Sequence, residues 1–305
     1  MPLEQPEVVV VGSANMDLVA RVPRFPQPGE TVLGDQFSTF TGGKGANQAC
    51  AIARMGGRPC FIGKVGNDSF GIQMISTLRQ NGVETSNVFA EQNVASGIAM
   101  ITVSQSGDNT IVVAPGANAL VDTKFVEERL DTFEYKFLLT QLEIPIQTVQ
   151  ELARRQKNVI LNPAPALELP DVVYERLSWI TPNETEAQTL TGVNPTNESQ
   201  CRLAAKWFLD RGVQNVVITL GSRGSFFAGA KDAIHCPTIA VDTIDSTAAG
   251  DAFNGALAQF LNEGREPVNA ILLANRAGAL ATTKLGAQAS LPRRDELLAV
   301  AADLL

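Results

Sequence analysis

The sequence predicts an α/β fold: a mostly parallel sheet covered by helices on both faces, with a small separate β-sheet attached. Three observations predict it. Short β-branched apolar runs alternate with helical patterns over most of the chain, the signature of parallel strands buried on both faces. Two stretches interrupt that rhythm with period-two character. The last third, after about residue 247, reads as helix almost throughout.

The strand candidates are EVVVVG (7–12), CFIGKV (60–65), KFLLTQL (136–142), NVILN (158–162), SWIT (178–181) and NVVITLG (215–221). Each is too short for a helix and bounded by turn residues. Helical spacing of apolar residues falls at 44–55, 70–81, 122–130, 146–156, 184–191 and 198–211, then at 248–263, 267–285 and 293–304. The first interruption, 18–40, is rich in Pro and turns. The second, 96–118, has two alternating runs flanking Ser106-Gly107-Asp108-Asn109, which reads as a β-hairpin. Neither an internal repeat nor a low-complexity linker is present, so residues 1–305 are expected to form one core domain carrying a β appendage.

Composition narrows the chemistry. The 305 residues are 45% hydrophobic and 18% charged, as in a globular protein. Lys plus Arg is 24 against 32 for Asp plus Glu, a net charge of −8. That argues against a nucleic-acid binder, yet oriented backbone N–H groups can still hold a small anion. Cys50, Cys60, Cys201 and Cys236 form no C-x-x-C pair, which fits a reducing cytoplasm better than a disulfide framework or a zinc ribbon. No apolar run reaches the ~18 residues of a membrane span, so no membrane contact is expected. MPLEQPEVVVVG lacks the basic start and cleavage site of a secretory signal. With one histidine, His235, a multi-histidine metal site is impossible.

Five segments can carry chemistry. In TGGKGANQA (41–49), Gly43 and Gly45 allow close backbone approach while Lys44 and Asn47 supply donors. It matches neither the P-loop nor the dinucleotide fingerprint, and a tight turn before a helix would look the same. In VGSANMDLV (11–19), Asn15 and Asp17 share a side of an extended chain, suited to vicinal hydroxyls or to a plain Asx turn. The helix beginning at Thr247-Ala248-Ala249-Gly250 exposes first-turn N–H groups behind minimal side chains, as an anion hole for a phosphate requires. Asp251 beside it is either a first-turn helix carboxylate or an acceptor for the proton of an attacking hydroxyl. TLGSRG (219–224) could hold a nucleotide's phosphates or make a β-turn, and Asn183 in TPNETEA (181–187) is a natural helix cap.

Together GSANMD (12–17), PGETV (28–32), GGKGANQA (42–49), QLE (141–143), LNPAPA (161–166), TPNETEA, TLGSRG, AAGDAFNGAL (248–257) and LGAQAS (285–290) resemble the ribokinase family of sugar kinases. They occur in the family's order across nearly the whole chain. The resemblance implies a three-layer α/β/α core with a β-sheet lid formed by roughly 14–42 and 96–116. It implies ATP-dependent phosphorylation of D-ribose at the 5-hydroxyl, with another sugar or a nucleoside as the alternative acceptor. Asp251 would be the base and Ala248, Ala249 and Gly250 the anion hole. Asn15, Asp17, Gly43, Lys44, Gly45, Ala46, Asn47 and Glu143 would hold ribose, with Asp251. Asn183, Thr219, Leu220, Gly221, Ser222, Arg223, Gly224, Gly250 and Asn275 would contact ATP. The family also implies Mg²⁺, a homodimer through the lid, and a potassium site at Asp245, Thr247, Ala281, Lys284, Gly286 and Ser290. An Asp242-Thr243 pair imitates the cation motif, but only Asp245 keeps the spacing to Asp251. A dehydrogenase would need the missing G-x-G-x-x-G, and an inactive binding protein would not need Asp251.

Overall fold

A computed structural model describes residues 7–132 and 134–304. The reading of the amino terminus as free of a signal rests largely on residues 1–6, outside the described residues. The strands are β1 (Val8–Val11), β2 (Asn15–Val22), β3 (Gln36–Gly42), β4 (Pro59–Gly66), β5 (Val88–Glu91), β6 (Gly97–Ser104), β7 (Asn109–Ala114), β8 (Phe137–Thr140), β9 (Val159–Leu161), β10 (Trp179–Ile180), β11 (Asn215–Thr219), β12 (Ser225–Ala228) and β13 (Ala233–Cys236).

Nine of them form one sheet in the order β13-β12-β11-β10-β9-β8-β1-β4-β5. Pairing is parallel from β11 to β5 and antiparallel at β11–β12 and β12–β13. Alternation of side chains across each strand builds the two outer layers. Val8 and Val10, with Phe61, Leu139, Ile160 and Val217, pack under helices Lys44–Arg54, Ala249–Asn262 and Pro267–Ala281. Val9 and Val11, with Ile62, Leu138, Leu161 and Val216, pack under Thr123–Leu130, Ile146–Arg155 and Glu198–Leu209. Burial on both faces explains why these strands read as unbroken apolar runs, and the α/β expectation is borne out. The β12–β13 hairpin and β5 were not predicted. Four-residue strands carry too little periodicity, and SFFA is buried throughout without alternating. Among the described residues no helix is long and apolar enough to cross a membrane.

The remaining four strands make a second sheet, β3-β2-β6-β7. β2 follows β1 after three intervening residues, pairs antiparallel with β3 and parallel with β6, and β6 turns into β7 through Gly107 at φ 89°. The small sheet thus grows from the carboxyl end of β1. At that same end, β1 runs into Gly12–Asn15, β8 into Gln141–Glu143, β9 into Asn162 and β10 into Thr181–Asn183. Ligands in open α/β sheets bind there. A Cβ on Gly12 would lie 2.8 Å from the Gly45 Cα, and one on Gly45 would lie 2.7 Å from the Gly12 Cα. Only paired glycines let helix Lys44–Arg54 start this close to β1.

Candidate active site

The GGKG turn is pinned by two neighbours. Glu143 Oε2 accepts the Lys44 N–H at 3.1 Å and the Ser13 hydroxyl, and the Ser13 carbonyl accepts the Ala46 N–H at 2.9 Å. Asn15 is equally fixed: Asn118 Nδ2 donates to its Oδ1 at 2.7 Å, which leaves the Asn15 amide N–H groups as donors. Asp17 lies over Gly42, where a Cβ would come within 2.3 Å of its carboxylate.

Three carboxylates, Asp17, Glu143 and Asp251, surround one ammonium, and a fourth, Glu186, also acts on it. Burial, then the charges of Glu143 and Asp251, push the Asp17 carboxyl up to about 7 against the pull of Lys44. Burial alone would lower the Lys44 ammonium, but Asp251, Glu143, Glu186 and Asp17 carry it above its ordinary value. Asp251 is 8% exposed, and its Oδ2 and Oδ1 accept Asn47 Nδ2 and Gln48 Nε2, each at 2.9 Å. Burial raises its pKa; Lys44 and the two amides oppose the rise. A carboxylate whose pKa is raised by burial is a better proton acceptor, which suits a general base.

Helix Ala249–Asn262 supplies the other half. Its N-cap, Ala248, sits in the left-handed region at φ 61°, and no side chain caps the first turn. A non-glycine residue there stores strain, which is typical of functional loops. A Cβ on Gly250 would meet nothing within 4 Å. Ala249 and Gly250 open on a cavity of about 560 Å³, also lined by Thr219, Gly221, Ser222, Gly224, Phe253 and Asn275. Asp251 faces Lys44 and Asn47 instead. One helical turn therefore separates a carboxylate cluster from a neutral cavity, with first-turn N–H groups at the border, that of Ala249 turned back to the Ser246 carbonyl at 3.3 Å.

Not every expected residue meets the cavity. The Arg223 guanidinium pairs with Glu184 and donates to the Thr196 carbonyl at 2.8 Å, so its charge is spent beside the loop. Leu220 is buried in the core. Asn183 forms a capping box with Glu186, its Oδ1 accepting the Glu186 N–H at 2.8 Å. Asn275 donates to the Cys236 carbonyl at 2.9 Å and holds the loop that closes the cavity. That loop, Thr238 to Thr243, also lines the cavity and was not anticipated. Gln48 was missed as well. The i, i+3, i+4 spacing of Lys44, Asn47 and Gln48 puts all three on one helix face and could have revealed it.

The expected cation residues come together in part. Asp245 Oδ1 accepts the Thr247 N–H and Oδ2 the Gly286 N–H, both at 2.9 Å. Burial would raise its pKa, but bonds from Thr247 and Gly286 hold it below the ordinary value. Asp242 is exposed. The Ser290 hydroxyl donates to the Ala287 carbonyl at 2.9 Å, and the Lys284 ammonium pairs with Glu296 at 2.6 Å, so Lys284 can offer only its carbonyl. Ala281 is buried at the end of its helix.

Comparison with known proteins agrees with this geometry. The profile described as pfkB family carbohydrate kinase matches residues 5–294. A ribokinase of Haemophilus influenzae is 40% identical over 95% of this chain and 97% of its own. The crystal structure of ribokinase from Thermotoga maritima superposes with a TM-score of 0.88 at 37% identity, covering 96% of this chain and 98% of that one. Arabidopsis thaliana ribokinase, complexed with ribose and ATP, gives a TM-score of 0.87 at 30% identity over 97% and 98%. The resemblance drawn from the motifs is thereby borne out, and the chain belongs to the pfkB family of carbohydrate kinases.

Proposed function

We propose that this chain transfers the γ-phosphoryl group of ATP to the 5-hydroxyl of D-ribose, giving D-ribose 5-phosphate and ADP. The observation that carries the reading is Asp251: a buried carboxylate, fixed on both oxygens, the third residue of an uncapped helix whose start opens on a cavity. Asn15, Asp17, Lys44, Asn47 and Glu143 bind the sugar hydroxyls, with Gly43, Gly45 and Ala46 closing the loop. Asp251 takes the 5-hydroxyl proton as that oxygen bonds to the γ-phosphorus and the bond to the ADP oxygen breaks. The N–H groups of the turn Ala248–Gly250 meet the charge that grows on the phosphoryl oxygens. Thr219, Gly221, Ser222, Gly224 and Asn275 line the space for ATP, with Asn183 nearby.

The small sheet would act as the lid that keeps water from competing with the sugar. Its Phe37 and the consecutive Ile111, Val112 and Val113 of β7 are exposed. An apolar edge of this kind suits a homodimer contact. The anchored carboxylate of Asp245 with nearby backbone carbonyls is a hard-oxygen donor set that fits a potassium ion. Among the described residues no group of three or more His, Cys, Asp or Glu could hold a metal. In our reading Mg²⁺ therefore arrives on the triphosphate. Four buried free thiols accord with a cytoplasmic location.

A coupled ADP-release assay over pentoses, hexoses and nucleosides tests the reading, run with K⁺ and with a choline control. D-ribose should give the highest kcat/KM. A hexose or nucleoside preferred over ribose would replace the substrate, and no ADP release with any acceptor would refute the kinase.

A further inference from the structure

The hydrogen bonds around Asp251 continue into the sheet. Gln48 Nε2 donates both to Asp251 Oδ1 at 2.9 Å and to Asn162 Oδ1 at 3.0 Å. Gln48 Oε1 accepts Gln141 Nε2 at 2.6 Å. Asn162 Nδ2 donates to the backbone carbonyl of Thr181 at 3.1 Å. Gln48 and Gln141 are 0% exposed and Asn162 7%.

Each amide in this chain has one permitted orientation. The Thr181 carbonyl can only accept, so Asn162 turns its N–H groups toward it and its oxygen toward Gln48. Gln48 must then present N–H groups to both Asn162 and Asp251, and its oxygen faces the Gln141 N–H. The run ends at Gln141 Oε1, which is buried without a partner. It lies where a Cβ on Gly12 would come within 2.2 Å. A buried polar group left unpaired costs stability, and such costs are tolerated where they serve a site.

We propose that Gln48 is a positioning residue for Asp251, with its amide orientation imposed by Asn162 and the Thr181 carbonyl on one side and by Gln141 on the other. Asn47 meets the second oxygen from the same helix face, so Asp251 is gripped on both oxygens and cannot turn away from the acceptor hydroxyl. The grip also favours the ionised carboxylate, because hydrogen bonds donated to a charged form stabilise it. This rests on Asp251 being the base.

The test is kcat against pH for Gln48→Met, Gln48→Glu, Asn162→Leu and the Gln48→Met/Asn162→Leu pair, with Asp251→Asn alongside. Lys44, Glu143, Asp17 and Glu186, the charged groups coupled to Asp251, are unchanged throughout. Gln48→Met should lower kcat about tenfold, leave both KM values within about threefold, and move the acidic limb up by about one pH unit. Asn162→Leu should do the same to a smaller extent. The pair should move the limb no further than Gln48→Met alone, since Asn162 acts through Gln48. Gln48→Glu keeps the side-chain volume and serves should the Met variant not fold; by facing Asp251 with a second carboxyl it should move the limb furthest. An unshifted limb and normal kcat in a Gln48 variant, or displacements that add in the pair, overturn the proposal. A folded Asp251→Asn keeping more than about a tenth of the rate overturns both the base and the relay. An inactive Asp251→Asn beside an unshifted Gln48 variant overturns the relay alone.

Discussion

At the sugar end, three carboxylates, an ammonium and two amides converge through side chains. At the nucleotide end, the cavity is lined by glycine, alanine and hydroxyl residues together with Ile239, Val241, Phe253 and Asn275, and by no charged side chain. Its Thr238 and Thr282 hydroxyls and its Asn275 amide already donate to backbone carbonyls. The contrast follows from the ligands we propose. A polyol is told from its isomers by the direction of each hydroxyl, which needs fixed side-chain partners. A triphosphate presents diffuse negative charge that backbone N–H groups meet well. Deletion of side chains should therefore hurt the sugar end far more than the nucleotide end.

The largest effect is expected at their border. Asp251→Asn preserves shape but cannot take a proton, so kcat should fall by about 10²–10⁴ with both KM values nearly unchanged; steady-state kinetics decide it. Next, Asp17→Ala should raise KM for ribose by the equivalent of about 1.5–3 kcal/mol, as expected for loss of a charged hydrogen-bond acceptor. An equal rise for ATP would erase the contrast. Asp245→Ala should abolish potassium activation while Asp242→Ala keeps it, measured as kcat with K⁺ against choline.

A stability prediction comes from Asp17. Its carboxyl moves from an ordinary 3.8 to about 7 in the folded chain. Between those values the folded chain binds more protons than the unfolded one, so stability falls as pH rises. Asp17→Asn should then raise Tm at pH 8 by more than at pH 5. A larger gain at pH 5 would reverse the sign. The smallest effect is reserved for the nucleotide end: Ser222→Ala should raise KM for ATP by no more than about threefold, because the loop backbone carries the contact.

The core was legible because strands buried on both faces leave β-branched runs such as Val8–Val11, and amphipathic helices keep their period. Lys44, Asn47 and Asp251 stood out because polar residues at glycine- and alanine-rich helix starts have few structural reasons to be there. Ser13, Asn118, Asn162 and Gln141 did not, since their partners depend on which strand ends lie side by side. β9 neighbours β8 and β8 neighbours β1, an order that no local pattern encodes. Arg223 lies off the cavity lining for a related reason. Its loop position suited a phosphate, while Glu184, on the adjacent helix, captured the charge.

The parallel pairing of β2 with β6 governs how the chain assembles. Asn15 pairs with Gly97 and Val22 with Ser104, and between them in sequence lie β3, β4, β5 and two helices of the core and small sheet. A nascent chain leaving the ribosome presents β2 and β3 as an unsupported two-stranded ribbon until β6 emerges. Such ribbons are marginal in water, and the loop to be closed is long. The small sheet should consequently take shape only after β1 and β4 have joined. In pulse-labelled hydrogen exchange, the amides of β6 and β7 should gain protection together with that core or after it, never before.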